Sequence, residues 1–266
     1  MPDHDEPIDL PPYRAVLVFD TKDFGSNTDP NQELLAGMIP DVVALAFERI
    51  GLIEVWRGAL FPHNTGDGFG IGFATRHLPA VVSDLFDALQ DVLAERDARL
   101  RERRPSARLR MRASLNVGPV REGDTGGDSA VVGGTVITTH RLLDAAPVRD
   151  VLTLSDPEET FLSVVLSQRV FEDVVASGYA TLHPSRVVQR TVEIKEFAGT
   201  VYLYVPKLSG RLLEHGIGEE QPMAAVAEAE QDRFSRALPV TNVMTGTHVG
   251  PSIQIGHLKG GLHNKM

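Results

Sequence analysis

Two aspartates lie where a divalent metal site could form. Asp20 ends the apolar stretch 15–19, and Asp67 lies in the glycine-flanked turn 64–68. The stretch is apolar on both faces, as in a central strand, and adjacent strands lie about 5 Å apart. A strand end and a neighbouring hairpin tip can therefore bring two carboxylates onto one pair of ions, which suits phosphoryl chemistry. The alternative is two turn aspartates that cap neighbouring elements.

The composition limits the kinds of partner. The chain has 266 residues, 42% of them hydrophobic, no cysteine, and a formal net charge of −10 at pH 7. This charge argues against a nucleic-acid partner, because phosphate backbones need a basic surface. A small nucleotide bound through metal ions stays compatible with it. No segment approaches the roughly 20 apolar residues of a membrane span, and the N-terminus lacks signal-peptide features. We therefore expect a cytoplasmic protein without a membrane partner.

The hydrophobic pattern predicts an α+β domain over residues 13–206. Period-3.6 and alternating patterns distinguish helices from strands. The predicted helices cover 31–50 (interrupted near Pro40), 79–103, 133–146 and 167–177, and the predicted strands cover 15–19, 59–61, 69–73, 109–117, 161–166, 192–195 and 201–205, with the last turn at 197–199. The order strand, helix, strand, strand, helix, strand is the βαββαβ pattern of ferredoxin-like or palm domains, here with additions.

The segments outside this domain differ from it in composition. Residues 1–12 are acidic and proline-rich, which predicts a disordered lead, and 207–238 form a linker that can hold a short helix over 223–238. Residues 239–266 are punctuated by glycine and contain no acidic residue. Their alternation of apolar with small or polar residues suits either a flexible tail or in-register stacking with copies of the same segment.

Five segments, in order along the domain, resemble motifs of the class III nucleotidyl cyclase catalytic domain. They are the sequence FDTKDF at 19–24, TGD at 65–67, ASLNVGPV at 113–120, VGGTVITTHRL at 132–142, and EIKEF at 193–197 followed by VYLY. Each motif is weak alone, but their shared order is specific. The resemblance implies the class III cyclase fold, a nucleoside triphosphate substrate and a homodimer with composite active sites.

The same resemblance assigns roles to particular residues. Asp20, Asp67 and the backbone carbonyl of Thr21 would hold two Mg²⁺ or Mn²⁺ ions. Arg141 would bind the α-phosphate in the transition state, and Lys195 would bind the terminal phosphates, although a solvated strand lysine is the alternative. Phe24, from the first motif, would contact substrate. In the implied homodimer, the two aspartates and Arg141 of one site come from different chains.

Three positions depart from the purine cyclases. The lysine and the aspartate that read the purine base are replaced by His63 and Ala130, and the ribose-orienting asparagine aligns with Ile137. Together with the TGDG turn and the short single-domain layout, this resembles bacterial anti-phage pyrimidine cyclases of the Pycsar type. The resemblance implies conversion of UTP or CTP to the cyclic UMP or cyclic CMP messenger of an antiviral defence. Alternatives are a purine cyclase with an atypical pocket and a non-catalytic scaffold that acts through its tail.

Two further expectations concern the base pocket and the tail. Trp56 is expected on the strand leading to the pocket, where it either flanks the base or serves the core or dimer interface. His63 either hydrogen-bonds the base or a phosphate, or is an exposed hairpin residue. In the tail, Ile253-Gln254-Ile255-Gly256 resembles RHIM-like amyloid signalling motifs, which implies a partner with such a motif for residues 242–263.

Overall fold

The computed structural model describes residues 9–121 and 133–217. In these ranges the strands are β1 (Tyr13–Thr21), β2 (Leu60–Asn64), β3 (Gly68–Ala74), β4 (Met111–Pro119), β5 (Leu162–Ser167), β6 (Val187–Ile194) and β7 (Phe197–Tyr204). The helices are α1 (Asp29–Arg49), α2 (Ile53–Arg57), α3 (Leu78–Ala80), α4 (Phe86–Arg103), α5 (Gly134–Leu143), α6 (Ala146–Leu154), α7 (Gln168–Val170) and α8 (Arg211–His215), with π-helical turns at Val81–Leu85 and Phe171–Ala176. None of the described helices is both long and apolar enough to cross a membrane.

The strands form one sheet in the order β2-β3-β1-β4-β5-β7-β6. The first four strands pair antiparallel, with β1 between β3 and β4, and α1 and α4 connect them in the order βαββαβ. This is the ferredoxin-like arrangement. The α+β fold with additions, expected from the sequence, is therefore confirmed.

Strand β1 is central because it is apolar on both faces. Its residues Ala15 to Phe19 are at most 1% exposed. Successive side chains alternate between the faces of a sheet, so Leu17 and Phe19 join the core beneath α1 and α4, whereas Val16 and Val18 pack with residues of α5. Asp20 continues this alternation and belongs to the α5 face.

Helix α1 is continuous through Pro40, which corrects the predicted interruption. A proline inside a helix costs about 3 kcal/mol, because it removes one backbone hydrogen bond and crowds the preceding turn. Ile39, Val42 and Val43, on either side of the proline, are at most 1% exposed. Their burial compensates for the cost of the proline.

Two other predicted boundaries are wrong. The helix expected over 133–146 ends at Leu143, and α6 begins at Ala146 with a proline in its first turn. Such a proline is favoured at a helix start and therefore marks a new helix. The last hairpin turns at Lys195 and Glu196, since Ile194 pairs with Phe197. Gly199, expected in this turn, lies within β7.

Candidate active site

Asp20 forms a bidentate ion pair with Arg112. The two residues are direct cross-strand neighbours on β1 and β4. Arg112 Nε donates to Asp20 Oδ1 at 2.8 Å and Arg112 Nη2 to Oδ2 at 2.5 Å, the fork geometry that arginine favours with carboxylates. Sequence reasoning missed Arg112, although the arginine lies on the polar face of the alternating segment around β4. A cation is thus already placed on the aspartate oxygens.

The β2–β3 turn places Asp67 beside the end of β1. The Thr21 backbone N–H donates to the carbonyl of Asp67 at 2.9 Å, and Gly68 pairs with Asp20 across the strands. Within the turn, the Thr65 hydroxyl donates to the Asp67 carboxylate at 3.1 Å. The structure therefore brings together the strand end and the hairpin tip on which the sequence-based metal site depends.

Gly68 allows this close approach. A Cβ at this position would lie 2.2 Å from the Phe19 carbonyl oxygen and 2.9 Å from the Thr65 hydroxyl. We expect Gly68→Ala to displace the hairpin tip with Asp67 and to lower the free energy of unfolding by roughly 2 kcal/mol. Gly37→Ala is the control, because that position in α1 is open and alanine favours a helix. Urea unfolding of both variants tests this, and equal stability would contradict it.

The electrostatics around Asp20 favour a bound cation. The pKa of the Asp20 carboxyl is raised to about 6, because burial and the nearby carboxylates of Asp67 and Asp144 raise it by more than Arg112 lowers it. Negative charge thus accumulates at this end of β1, where a cation can compensate for it.

The donor set at this point suits a hard divalent ion. In the described ranges, no group of three or more His, Cys, Asp and Glu side chains is arranged to hold a metal. Mg²⁺ does not need such a group, since one or two carboxylates usually hold it together with waters and substrate phosphates. Two aspartates and backbone or hydroxyl oxygens are ligands that Mg²⁺ and Mn²⁺ accept. The residues therefore fit the metal, provided that Arg112 releases Asp20.

Arg141 lies on α5 and is directed towards the last hairpin. It forms an ion pair with Glu196, whose side chain is 75% exposed. The neighbouring Lys195 is exposed and has a positive φ of 55° in the two-residue turn. An arginine and a lysine are thereby gathered beside an exposed carboxylate, which suits an exchangeable anion site.

Within one chain, the carboxylates and the Lys195 turn lie on separate strands of the sheet, whereas α5, which carries Arg141, packs on β1 and β4. Strand β7, which follows the Lys195 turn, is separated from β1 by β4 and β5. Three strand spacings correspond to about 14 Å. Asp20 engages Arg112, whereas Arg141 engages Glu196. The structure therefore does not bring the predicted metal ligands and the predicted phosphate arginine into contact within the chain.

His63 contacts α5 rather than standing free on its hairpin. Its Nε2 lies 2.9 Å from Nε2 of His140, and its Nδ1 lies 3.2 Å from the Phe61 carbonyl oxygen. His140 directly precedes Arg141 in the chain, and sequence reasoning did not single it out. The contact links the hairpin that carries Asp67 to the helix that carries Arg141.

The other predicted substrate contacts have different surroundings. Trp56 lies on α2 and not on a strand, which corrects its predicted element. Its ring packs between Phe47 and Phe69, at centroid distances of 5.8 and 5.3 Å, beside the main core. Phe24 begins the short 3₁₀ turn after β1 and also packs against that core. Ala130 lies outside the described residues. Packing accounts for Trp56 without a substrate.

A cavity of about 410 Å³ opens between α5 and the last hairpin. Asn116, Thr135 and Thr138 line one side, and Phe197 and Gly199 line the other. Its size lies within the range of small-molecule sites. Polar side chains and an aromatic ring thus face a space close to the Arg141 and Lys195 group.

Comparison with known proteins gives matches at the level of structure only. No family model matches the sequence, and no curated protein matches it. Solved structures similar to this chain include the guanylyl cyclase Cya2 (19% identity, TM-score 0.47, 79% of this chain and 95% of that one) and the adenylyl cyclase CyaB from P. aeruginosa (18%, 0.43, 77% and 97%). A third is an adenylate/guanylate cyclase/hydrolase from Silicibacter pomeroyi (16%, 0.45, 73% and 97%). At such identities, function has to be inferred from this chain's own side chains.

Proposed function

We propose that this chain is a metal-dependent nucleotidyl cyclase, a phosphorus–oxygen lyase that converts a nucleoside triphosphate to its 3′,5′-cyclic monophosphate and pyrophosphate. The observation that carries the proposal is the junction of Asp20 and Asp67 at a strand end and hairpin tip, with Arg112 as a cation on Asp20. A triphosphate needs such an arrangement of carboxylates and cations around a long anion.

Asp20 and Asp67 would hold two Mg²⁺ or Mn²⁺ ions, with the Thr21 carbonyl as a further ligand. When bound, the ions supply a lowered pKa for the ribose 3′-hydroxyl and neutralise phosphate charge. Arg112 is the counter-ion of Asp20 in the structure. With the carboxylate as a metal ligand, the guanidinium would be free to bind a phosphate oxygen, so the charge would stay balanced.

Arg141 and Lys195 would bind the phosphates. The 3′-oxygen forms a bond to the α-phosphorus, its proton passes to solvent, and the bond from that phosphorus to the pyrophosphate oxygen breaks. Arg141 stabilises charge on the α-phosphate, and Lys195 holds the departing phosphates. The exposed Glu196 keeps Arg141 neutralised in the free protein. Exposed ion pairs are weak, so a phosphate can displace this carboxylate.

The separation of the two charged groups supports a homodimer with composite sites. Asp20 and Asp67 of one chain would meet Arg141 and Lys195 of a second copy, since within one chain Arg141 pairs with Glu196 and the Lys195 turn lies three strands from β1. A two-fold arrangement of this kind forms two identical sites. The cavity beside α5 would then lie next to the bound nucleotide.

The base is proposed to be a pyrimidine, uracil or cytosine. The support is the absence of the purine-reading lysine and aspartate, replaced by His63 and Ala130. Both ring nitrogens of His63 are in contact with other groups, His140 and the Phe61 carbonyl. The ring is therefore held in place and does not reach outward as a lysine side chain would. A role in antiviral defence, and an amyloid-motif partner for residues 242–263, are proposals from the sequence resemblance; those residues lie outside the described ranges.

The base preference is tested by comparing kcat/KM for UTP, CTP, ATP and GTP, each assayed alone with Mn²⁺ and with Mg²⁺. We expect one pyrimidine triphosphate to exceed both purine triphosphates by at least about tenfold, because differential contacts with the base set this ratio. A purine triphosphate as the best substrate would reject the pyrimidine proposal and leave the cyclase proposal intact.

A further inference from the structure

The His63 and His140 side chains present two imidazole nitrogens to one point. A carbonyl oxygen only accepts hydrogen bonds, so the contact of His63 Nδ1 with the Phe61 carbonyl at 3.2 Å places the proton on Nδ1. In the neutral ring, Nε2 of His63 then has a free lone pair. It accepts the one proton shared with His140 Nε2, 2.9 Å away.

The ring of His63 is held firmly in this position. Gly70 is its cross-strand partner on β3, and a Cβ on Gly70 would lie 2.2 Å from the imidazole Cε1. The ring thus lies directly over a glycine backbone and is fixed at its far side by the Phe61 carbonyl. A histidine whose other ring nitrogen donates to a carbonyl has the outer-shell support that metal-binding histidines usually have.

We propose that His63 and His140 form a binding site for a borderline transition-metal ion, Zn²⁺ in particular, through their two Nε2 atoms. The ion takes the place of the shared proton, which moves by exchange with solvent from Nε2 to Nδ1 of His140, so both rings stay neutral and no net proton is released. This site is distinct from the oxygen ligands of Asp20 and Asp67, because imidazole suits Zn²⁺ whereas carboxylates suit Mg²⁺ and Mn²⁺. The inference does not depend on the proposed cyclase activity.

The distances are compatible with this exchange. Zn–N bonds measure about 2.0–2.1 Å, so two nitrogens on a tetrahedral ion lie roughly 3.3 Å apart. The present separation of 2.9 Å needs to open by only a few tenths of an ångström. Burial, followed by the charge of His63, lowers the pKa of His140, which favours the neutral imidazole that a metal requires.

The protein supplies two ligands and leaves the others open. No third His, Cys, Asp or Glu in the described ranges completes a closed site, so water fills the remaining positions. The carboxylates of Asp67 and Asp144 both interact electrostatically with His140. Their negative charge favours a cation at this point without direct ligation.

The test measures Zn²⁺ bound to the full-length chain by competition with a chromophoric chelator. His63→Gln and His140→Gln are each expected to bind one equivalent fewer than the wild type. Other histidines, including those near the C-terminus, contribute equally to all variants and cancel in this difference. His183→Gln is the matched control, because that histidine caps a separate 3₁₀ turn at Pro184–Arg186, and Asp20→Asn reports on the carboxylate pair.

Thermal unfolding gives a second readout. Because the ion would bridge β2 and α5, saturating Zn²⁺ should raise Tm by about 5 °C at a hundredfold excess over Kd, and either histidine variant should lose this rise. Unchanged stoichiometry and Tm shift in both histidine variants would overturn the site. Loss of one equivalent of bound Zn²⁺ in Asp20→Asn, but not in the histidine variants, would also overturn it, because the ion would then be bound by the carboxylates. Neither outcome depends on a cyclase assay.

Discussion

Asp20→Asn and Asp67→Asn are each expected to reduce cyclic nucleotide formation at least about a hundredfold, because each removes a charged metal ligand. Asparagine keeps the shape and one oxygen of the side chain, so the change isolates the charge. Asp23→Asn is the matched control: that carboxylate lies just after the end of β1, is 68% exposed and pairs with Lys22. It is expected to retain activity near that of the wild type.

The activity of these variants has to be compared with their stability. Asp20→Asn leaves Arg112, whose side chain is only 15% exposed, without its bidentate partner. We therefore expect a lower Tm for Asp20→Asn, whereas Asp67 lies in an exposed turn and its variant should keep the wild-type Tm. Substantial activity in a folded Asp67→Asn variant would show that the metal ligands have been assigned to the wrong residues.

Mixing two inactive variants is expected to restore activity if the sites are composite. Asp67→Asn removes the carboxylate half, and Arg141→Ala removes the arginine half. In a heterodimer, both lesions fall in one site and the other site is complete. Random exchange of equal amounts makes half of the dimers mixed, so the expected recovery is about a quarter of the wild-type rate.

The control for this experiment mixes Asp67→Asn with Asp20→Asn. Both lesions affect the same half, so every site in the mixture stays incomplete and no activity should return. Subunit exchange is verified with differently tagged chains. Verified exchange without recovery in the Asp67→Asn and Arg141→Ala mixture would place the whole site within one chain.

The sequence predicts the central sheet well because its signals are local. The apolar run before Asp20 and the alternation around β4 each determine a strand, and the order of elements then determines the ferredoxin-like core. The predicted proximity of Asp20 and Asp67 follows from the same logic, since adjacent strands place their ends together.

The errors arise where tertiary contacts override a local signal. Pro40 indicates a break, yet burial of its helical neighbours keeps α1 intact. Gly199 indicates a turn, but the chain turns before it, at Lys195 and Glu196, with Lys195 in the left-handed region. The pairing of Arg112 with Asp20 joins residues 92 positions apart, and the contact of His63 with His140 spans 77. Periodicity does not encode such long-range contacts.

The most direct test of the cyclase proposal is mass spectrometry of the products after incubation with an equimolar mixture of UTP, CTP, ATP and GTP and Mn²⁺. We expect a 3′,5′-cyclic monophosphate, mainly of a pyrimidine, with pyrophosphate in equal amount. Neither should form with Asp20→Asn or after chelation of the metal. Absence of every cyclic monophosphate with folded, dimeric wild-type protein, with both Mn²⁺ and Mg²⁺, would contradict the proposal that this chain is a nucleotidyl cyclase.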